Sequence, residues 1–331
     1  PDFIGDSWEK GDRLLFYNGA RPVREWRKKV DLDLKKIKPI VKNALQEDIG
    51  KGDITTDLLV PGTRRVKAKI VAREPGVVAG IGVAEEVFKA VESLIIRKKG
   101  EKNRKKKEIK FKKIVEDGSK VGKGETLAEV RGSAQVVLTG ERTALNFLQH
   151  LSGIATLTRK YVEAMKSARP RGKIKIYDTR KTLPGLRYLE KYAVSCGGGY
   201  NHRMGLYDMV LIKDNHWQIA RGLMRERVPS GWNLEEIKER IPKGMKVEVE
   251  VDNLRQLKRV LAMDVDIVML DNMKFPVLKR AVRLVQVARN RKRAKSPAIE
   301  VSGKINLERI KQIAHLGVDR ISVGEITHSV K

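Results

Sequence analysis

Residues 176–217 read IYDTRKTLPGLRYLEKYAVSCGGGYNHRMGLYDMVLIKDNHW. Two short apolar runs, at residues 174–177 and 209–212, frame most of this stretch and have the composition of buried parallel strands. The cationic or ionisable side chains that follow these runs or lie between them are Arg180, Lys181, His202, Arg203 and Lys213. Because the ends of neighbouring strands lie close together, this grouping predicts a site for a small molecule that carries several negative charges.

The same pattern continues to the end of the chain and decides the fold class. Short apolar runs alternate with amphipathic segments of helical periodicity, and repeated units of this kind predict parallel strands joined by right-handed crossovers. Six or seven such strands favour an α/β barrel over an open doubly wound sheet. The predicted strands lie at residues 174–177, 209–212, 247–251, 267–270, 299–301 and 320–323.

The first part of the chain has a different pattern. Helical periodicity at residues 33–45 and 83–94 is mixed with strand-like alternation at 66–72 and with turn signals between residues 109 and 130. This mixture predicts an α+β layer in which the strands form one sheet with helices on one face. Residues 47–57 are expected to form a loop.

Three regions follow from these patterns. Residues 1–33 form an extension of unknown role, residues 34–139 a smaller α+β sandwich domain, and residues 140–331 an α/β barrel domain that carries the active site. The barrel domain is expected to open with a helix at residues 140–165 that would break at Gly153, with Arg142 in its first turn.

Charge and cysteine usage limit the possible partners and cellular compartment of the protein. The net charge is +29, and residues 97–113 hold eleven cations against two acids. With only Phe111 available for base stacking, this basic run is interpreted as a solvated loop, and a nucleic-acid partner is not expected. Cys196 is the only cysteine, which fits a reducing cytoplasm. We recognise neither a membrane-spanning run nor a secretory signal.

Polar residues or glycines follow almost every predicted barrel strand. In a parallel barrel these positions share one face, where active sites lie. The acids suit Mg²⁺ or ribose hydroxyls, whereas the small residues allow backbone N–H groups to approach a phosphate. Together they predict a phosphorylated sugar beside an anionic co-substrate. Beyond the cationic group, the positions concerned are Glu250 and Asp271 in the acidic pair, and Ser302, Gly303 and Gly324 after the last two strands.

Several segments resemble, in the same order, the quinolinate phosphoribosyltransferase family, also called carboxylating nicotinate-nucleotide pyrophosphorylases. The longest is DTRKTLPGLRYLEKYAVSCGGGYNHRMGLYDMVLIKDNH. The others are EDIGKGDITTD, GERTALNFLQHLSGIAT, VEVEVDN, IVMLDN, and VSG with VGEITHS. The resemblance covers roughly residues 34–329. It implies an N-terminal α/β sandwich and an irregular, seven-stranded α/β barrel, in a homodimer or larger homo-oligomer with active sites shared between subunits.

The resemblance also implies a reaction and a role for each residue. Quinolinate and phosphoribosyl pyrophosphate would give nicotinate mononucleotide, pyrophosphate and CO₂, a step of NAD biosynthesis, with Mg²⁺ as cofactor. Arg180, Lys181, His202, Arg203 and Lys213 would bind the quinolinate carboxylates and the pyrophosphate, and Arg142 would come from the neighbouring subunit. Glu250 and Asp271 would hold Mg²⁺ and the ribose hydroxyls, and Ser302, Gly303 and Gly324 the 5′-phosphate. The catalytic group would be Lys181, Lys213, Glu250 and Asp271.

Some features depart from the family and some alternatives remain open. The basic run resembles an insertion, the first thirty or so residues have no counterpart, and Lys304 stands where the family usually has glycine. One alternative is a paralogue with another substrate, of the molybdenum-transport-associated type. A second is a Schiff-base aldolase that uses Lys213, because a lysine at a strand end is the position such enzymes use. A third is nucleic-acid binding through the basic run.

Overall fold

The computed structural model of the chain describes residues 32–98, 109–170, 172–216, 219, 239–292 and 297–330. The predicted extension lies almost entirely outside these residues. So do most of the basic run at residues 97–113 and the surroundings of Ile219. Within the described part, the architecture is a smaller α+β region followed by a parallel α/β sheet.

The smaller region contains two antiparallel sheets. Strand β5 lies between β1 and β3, whereas β2 and β4 pair separately, so the prediction of a single sheet is wrong. Strands β2 and β4 are only two residues long, which is too short for an apolar–polar alternation to be recognised in the sequence. The elements are α1 (Leu34–Ile49), α2 (Ile54–Leu59), β1 (Arg65–Val71), β2 (Gly76–Val77), α3 (Ile81–Lys98), β3 (Lys110–Lys113), β4 (Lys120–Val121) and β5 (Thr126–Ser133).

Local chemistry explains where these helices begin. The Asp33 side chain accepts a hydrogen bond from the backbone N–H of Lys35 at 2.9 Å and caps α1. In the same way Asp53 accepts from the N–H of Thr56 at 3.0 Å and caps α2. Helix α2 overlaps residues 47–57, so the prediction of a continuous loop there is wrong. A six-residue helix is too short to display a recognisable apolar stripe.

A long helix, α4 (Ala134–Ser167), connects the two parts of the fold. It follows β5 directly and continues through Gly153, so the predicted break there is absent. Its buried residues recur along its whole length, because one end packs on α3 and the other contacts the barrel. Helix α4 also crosses the predicted domain boundary at residue 139. Gly140 marks its close approach to α3, since a Cβ there would lie 3.0 Å from the Phe88 ring.

The second part is a parallel sheet of six described strands, ordered β6-β11-β10-β9-β8-β7, with helices between them. This barrel-like sheet confirms the predicted fold class. One further parallel bridge, Tyr177 to Tyr200, continues beyond β6. The elements are β6 (Lys175–Tyr177), α5 (Arg187–Cys196), β7 (Val210–Ile212), β8 (Val247–Val251), α6 (Leu254–Leu261), β9 (Ile267–Asp271), α7 (Phe275–Lys292), β10 (Ala298–Ser302), α8 (Leu307–Ile313), β11 (Arg320–Ser322) and α9 (Glu325–His328).

Two further features concern the only cysteine of the chain and the helices of the described residues. Burial and the nearby Asp117 raise the pKa of the Cys196 thiol to about 12, so at neutral pH this side chain is a packed thiol and not a nucleophile. None of the helices in the described ranges is long and apolar enough to cross a membrane.

Candidate active site

A cavity of about 1300 Å³ opens at the carboxyl ends of the parallel strands. This volume is large enough for two small substrates. The residues come from six separate strand ends, so the convergence expected from the alternation pattern is present. The predicted site residues that line it are Arg180, Lys181, His202, Arg203, Lys213, Glu250, Asp271, Ser302, Gly303 and Gly324.

Arg142 is the predicted site residue that does not line this cavity. It is exposed on α4, and because α4 begins at Ala134, Arg142 lies in its third turn and not in the first. The helix is tied to the α1–α2 segment on either side of Arg142. Thr139 donates a hydrogen bond to Asp53, and Thr143 donates one to Asp48, each at 2.9 Å. Arg142 therefore lies on an outer face of α4, away from the cavity.

One wall of the cavity is cationic. Burial lowers the pKa of Arg203, and the neighbouring Arg180 lowers it further because two guanidinium groups held close together repel each other. The Arg203 guanidinium is anchored by donation to the carbonyl of Met209 at 3.2 Å. Lys181 is anchored through its backbone, whose carbonyl accepts from the Thr327 hydroxyl at 2.7 Å. A wall of mutually repelling cations is a receptor for a polyanion.

The middle of the cavity is acidic. Lys213 Nζ lies 3.1 Å from a carboxylate oxygen of Glu250. Burial raises the pKa of Glu250, and repulsion from Asp271 and Asp214 adds to this against the attraction of Lys213. A divalent cation would relieve that repulsion. Mg²⁺ is commonly held by one or two carboxylates together with substrate phosphates, so Glu250 and Asp271 fit such an ion.

Glycines form the far end of the cavity. Gly303 has a φ of +88°, and a Cβ there would lie 2.3 Å from the amide oxygen of Asn272. No side chain fits at Gly303, so backbone approaches the cavity closely, as a phosphate-binding loop requires. The turn at Gly324, after β11, is held by the adjacent Glu325, which accepts a hydrogen bond from the Tyr161 hydroxyl.

Lys304 has a left-handed backbone with a φ of +48° and lines the cavity beside Gly303. For a lysine this conformation costs about 1–2 kcal/mol. We expect Lys304→Gly to remove this strain and also a cation from the phosphate end. The variant should unfold at an equal or higher urea concentration, yet show a several-fold higher KM for the phosphorylated substrate with an unchanged KM for the anionic co-substrate. Equal effects on both KM values would contradict the placement of Lys304.

His202 lines the cavity as predicted, but both of its ring nitrogens contact the protein. Nε2 lies 3.1 Å from Glu248 and 3.3 Å from Glu300, and Nδ1 accepts a hydrogen bond from the backbone N–H of Arg203 at 2.9 Å. Burial alone would lower the pKa of His202, but the two carboxylates outweigh it and raise the pKa to about 10. A second proton would lie on Nδ1 and face the N–H of Arg203, so the hydrogen bond to Nδ1 opposes this shift and leaves the ring with a single proton, on Nε2.

Sequence reasoning missed the residues that hold this region from below. Asp178 accepts from the backbone N–H of His202 at 2.7 Å, and Lys191 donates to the His202 carbonyl at 3.1 Å. Asp178 and Lys191 also pair directly with each other. Glu248 has a readable signal, since the alternation VEVEV places it on the same strand face as Glu250. Asp178 and Lys191 have none, because only the fold brings them together.

The cavity and sheet define a barrel phosphoribosyltransferase, and comparison with known proteins supports this class. The sequence model of the quinolinate phosphoribosyl transferase N-terminal domain matches residues 53–152, and that of the C-terminal domain matches residues 154–331. The chain belongs to the quinolinate phosphoribosyltransferase family, as the sequence motifs predicted.

Named relatives and solved structures agree with this assignment. Over 308 residues the chain is 39% identical to the carboxylating nicotinate-nucleotide pyrophosphorylase of Mycobacterium leprae, covering 91% of this chain and 96% of the relative. It is 40% identical over 292 residues to the probable nicotinate-nucleotide pyrophosphorylase of Methanocaldococcus jannaschii, and the match covers 88% of this chain and 93% of the relative. The crystal structure of NadC from Streptococcus pyogenes superposes with a TM-score of 0.76 at 36% sequence identity. The superposition covers 91% of this chain and 95% of the NadC chain.

Proposed function

We propose that this chain transfers the phosphoribosyl group of phosphoribosyl pyrophosphate to quinolinate and releases CO₂. The observation that carries the proposal is one cavity with a cationic wall, a carboxylate pair and a glycine-lined end, built from sequence-distant strand ends. Each part matches one part of the substrates: the dicarboxylate ring, the ribose with its pyrophosphate, and the 5′-phosphate. The matching family and the names of the relatives support the same reaction.

The chemistry explains why opposite charges share the cavity. The quinolinate ring nitrogen forms a bond to ribose C1 while the bond from C1 to the pyrophosphate oxygen breaks, and positive charge develops at C1. The carboxylates of Glu250 and Asp271 stabilise that charge, whereas the cationic wall stabilises the departing pyrophosphate. Mg²⁺ held by Glu250 and Asp271 would neutralise further charge on the pyrophosphate.

Decarboxylation follows from the product of that step. The alkylated ring nitrogen is a cation next to C2, so the electron pair left at C2 when CO₂ departs lies beside a positive charge. A proton then takes the place of CO₂ at C2. The protein has to hold two mutually repelling anions in register, and no covalent nucleophile is required. Lys213, the residue an aldolase would use, is instead paired with the carboxylate of Glu250.

We also propose a homodimer in which Arg142 enters the cavity of the partner. Large apolar side chains are exposed next to the Arg142 face, with Ile54 at 74% and Leu58 at 78%. Others are exposed at the cavity, where Leu206 is 72% exposed and lines the rim. Exposed apolar patches of this kind commonly mark protein contacts, and a two-fold interface would cover both faces at once.

A cytoplasmic location is proposed from the lone cysteine.

Glu250→Gln tests the proposed role of the acidic pair. The variant keeps the shape of the side chain but removes its charge, and we expect kcat/KM to fall by roughly 10²-fold or more, as for loss of one group facing a developing charge. The Mg²⁺ concentration that gives half-maximal activity should rise as well. Nicotinate mononucleotide formation is measured by chromatography. The matched control is Glu308→Gln, which removes an exposed carboxylate paired with Lys311; equal rates for both variants would contradict the proposal.

A further inference from the structure

The interior beneath the cavity is charged, although barrel interiors are usually filled by Val, Ile and Leu. Glu248 on β8 and Glu300 on β10 are both fully buried, and Arg320 on β11 lies between Glu300 and the Tyr177 ring. Burying ionised groups costs several kcal/mol each, and a well-packed apolar cluster would often be as stable. A charged layer directly under a binding cavity therefore calls for a reason other than stability.

The layer meets the cavity at His202 and Ser322, which both line it. Nε2 faces both glutamates at 3.1 and 3.3 Å, and Arg320 lies 3.3 Å from the other oxygen of Glu300. These are ion-pair distances without well-aligned hydrogen bonds, because Nε2, both Glu248 oxygens and one Glu300 oxygen lack a hydrogen-bond partner among the described residues. Ser322 donates its hydroxyl to the remaining oxygen of Glu300.

The imidazole, Glu248 and Glu300 lie close enough to coordinate a metal ion. The other ring nitrogen argues against a metal. A histidine that ligates through Nε2 normally donates its Nδ1 proton to an acceptor. Here Nδ1 faces a donor, the backbone N–H of Arg203 at 2.9 Å. The ring proton consequently lies on Nε2, between the carboxylates.

This contact transmits the position of the ring to the cationic wall. The hydrogen bond to Nδ1 fixes the backbone of Arg203, whose guanidinium is repelled by Arg180 and attracted by Glu248. Without the carboxylates the ring would be free to turn, and Arg203 would lose both its backbone anchor and the attraction of Glu248. Asp178 and Lys191 fix only the backbone of His202, so they do not determine the ring orientation.

We propose that Glu248 and Glu300 are positioning residues for the anion-binding wall. They hold the His202 ring with Nε2 turned into the barrel, and through Nδ1 they set Arg203 where a carboxylate of the substrate binds. The proposal rests on the proposed function for the identity of that substrate.

Glu248→Gln and Glu300→Gln test this role by steady-state kinetics. Each should lower kcat/KM for quinolinate by about tenfold or more, mainly through KM, with KM for phosphoribosyl pyrophosphate changed less than twofold. Loss of negative charge alone would tighten binding of a dianion, so a lower or unchanged KM for quinolinate would overturn the proposal. The control is Glu92→Gln, a buried glutamate of the smaller region that accepts from the N–H of Ile109. It should change stability but neither KM value.

A double-variant cycle tests whether the glutamates act through the ring. If they do, His202→Gln combined with Glu248→Gln should be no worse than His202→Gln alone, whereas independent effects would multiply. Multiplying effects would overturn the proposal.

Nitrogen NMR of histidine-labelled protein tests the geometry without any turnover. The His202 signals are identified by their loss in His202→Gln. We expect an unprotonated Nδ1 and a protonated Nε2 in the wild type, and a changed pattern in Glu248→Gln. A protonated Nδ1, or a stoichiometric metal that purifies with the wild type and not with His202→Gln, would overturn the proposal. Absence of quinolinate turnover with the expected NMR pattern would instead count against the proposed function.

Discussion

An equimolar mixture of Arg142→Ala and Lys181→Ala subunits is expected to regain about a quarter of wild-type activity, because random pairing makes about half of the dimers mixed and each mixed dimer has one intact site of two. The purified mixed dimer should regain about half. Each variant alone should lose roughly 10²- to 10³-fold in kcat/KM. The expectation follows from the placement of the two residues: Lys181 lines the cavity of its own chain, whereas Arg142 is exposed on α4 outside it.

The matched control uses two residues of the same cavity. Lys181→Ala mixed with Glu250→Ala should show no recovery, because each chain then carries a damaged cavity. Co-expression of differently tagged subunits and two-step purification isolate the mixed dimer. If the Arg142 and Lys181 variants do not complement each other while the mixed dimer forms, Arg142 does not act across a subunit boundary.

Lys191→Met is expected to cost about 3–5 kcal/mol in the free energy of unfolding, the range for removing one partner of a buried ion pair. Lys191 is 1% exposed and Asp178 is fully buried, and they pair beneath the loop that carries His202. Burial lowers the pKa of Lys191 and raises that of Asp178 against their mutual attraction. Without the ammonium, Asp178 must remain charged in the interior with no ionic partner or take up a proton.

The double variant Asp178→Asn with Lys191→Met distinguishes the cost of an unpaired buried charge from the other effects of losing the lysine. If the cost of the single variant comes from an unpaired charge, the double variant should be more stable than Lys191→Met alone. Urea unfolding monitored by fluorescence and circular dichroism gives both values. A change below about 0.5 kcal/mol for Lys191→Met would contradict the account, since that is the range of ordinary surface substitutions.

The strand–helix alternation was sufficient to predict the barrel-like sheet, because buried parallel strands are short and apolar and their ends share one edge. The same rule located Lys213, Glu250, Asp271 and Ser302 at one cavity. Short elements such as α2 escaped prediction, and so did the separation of β2 and β4 from the main sheet, because segments of two to six residues show too little periodicity.

Residues that act from beneath the cavity were harder to predict. Asp178 follows β6 as Arg180 does, yet it turns inward and pairs with Lys191 from α5. Glu300 reads as a single acid in an apolar strand, and only the pairing of β10 with its neighbours shows that it faces His202. Contacts between sequence-distant side chains depend on strand register, which one sequence does not reveal.

The central claim is that the cavity binds a pyridine dicarboxylate together with a phosphorylated sugar and removes one carboxylate. The most direct measurement follows CO₂ from quinolinate labelled in its C2 carboxylate, alongside nicotinate mononucleotide, with phosphoribosyl pyrophosphate and Mg²⁺ present. We predict equal amounts of CO₂ and nucleotide from quinolinate and no nucleotide from nicotinate. Nucleotide formed from nicotinate, or no labelled CO₂ from quinolinate, would contradict the account.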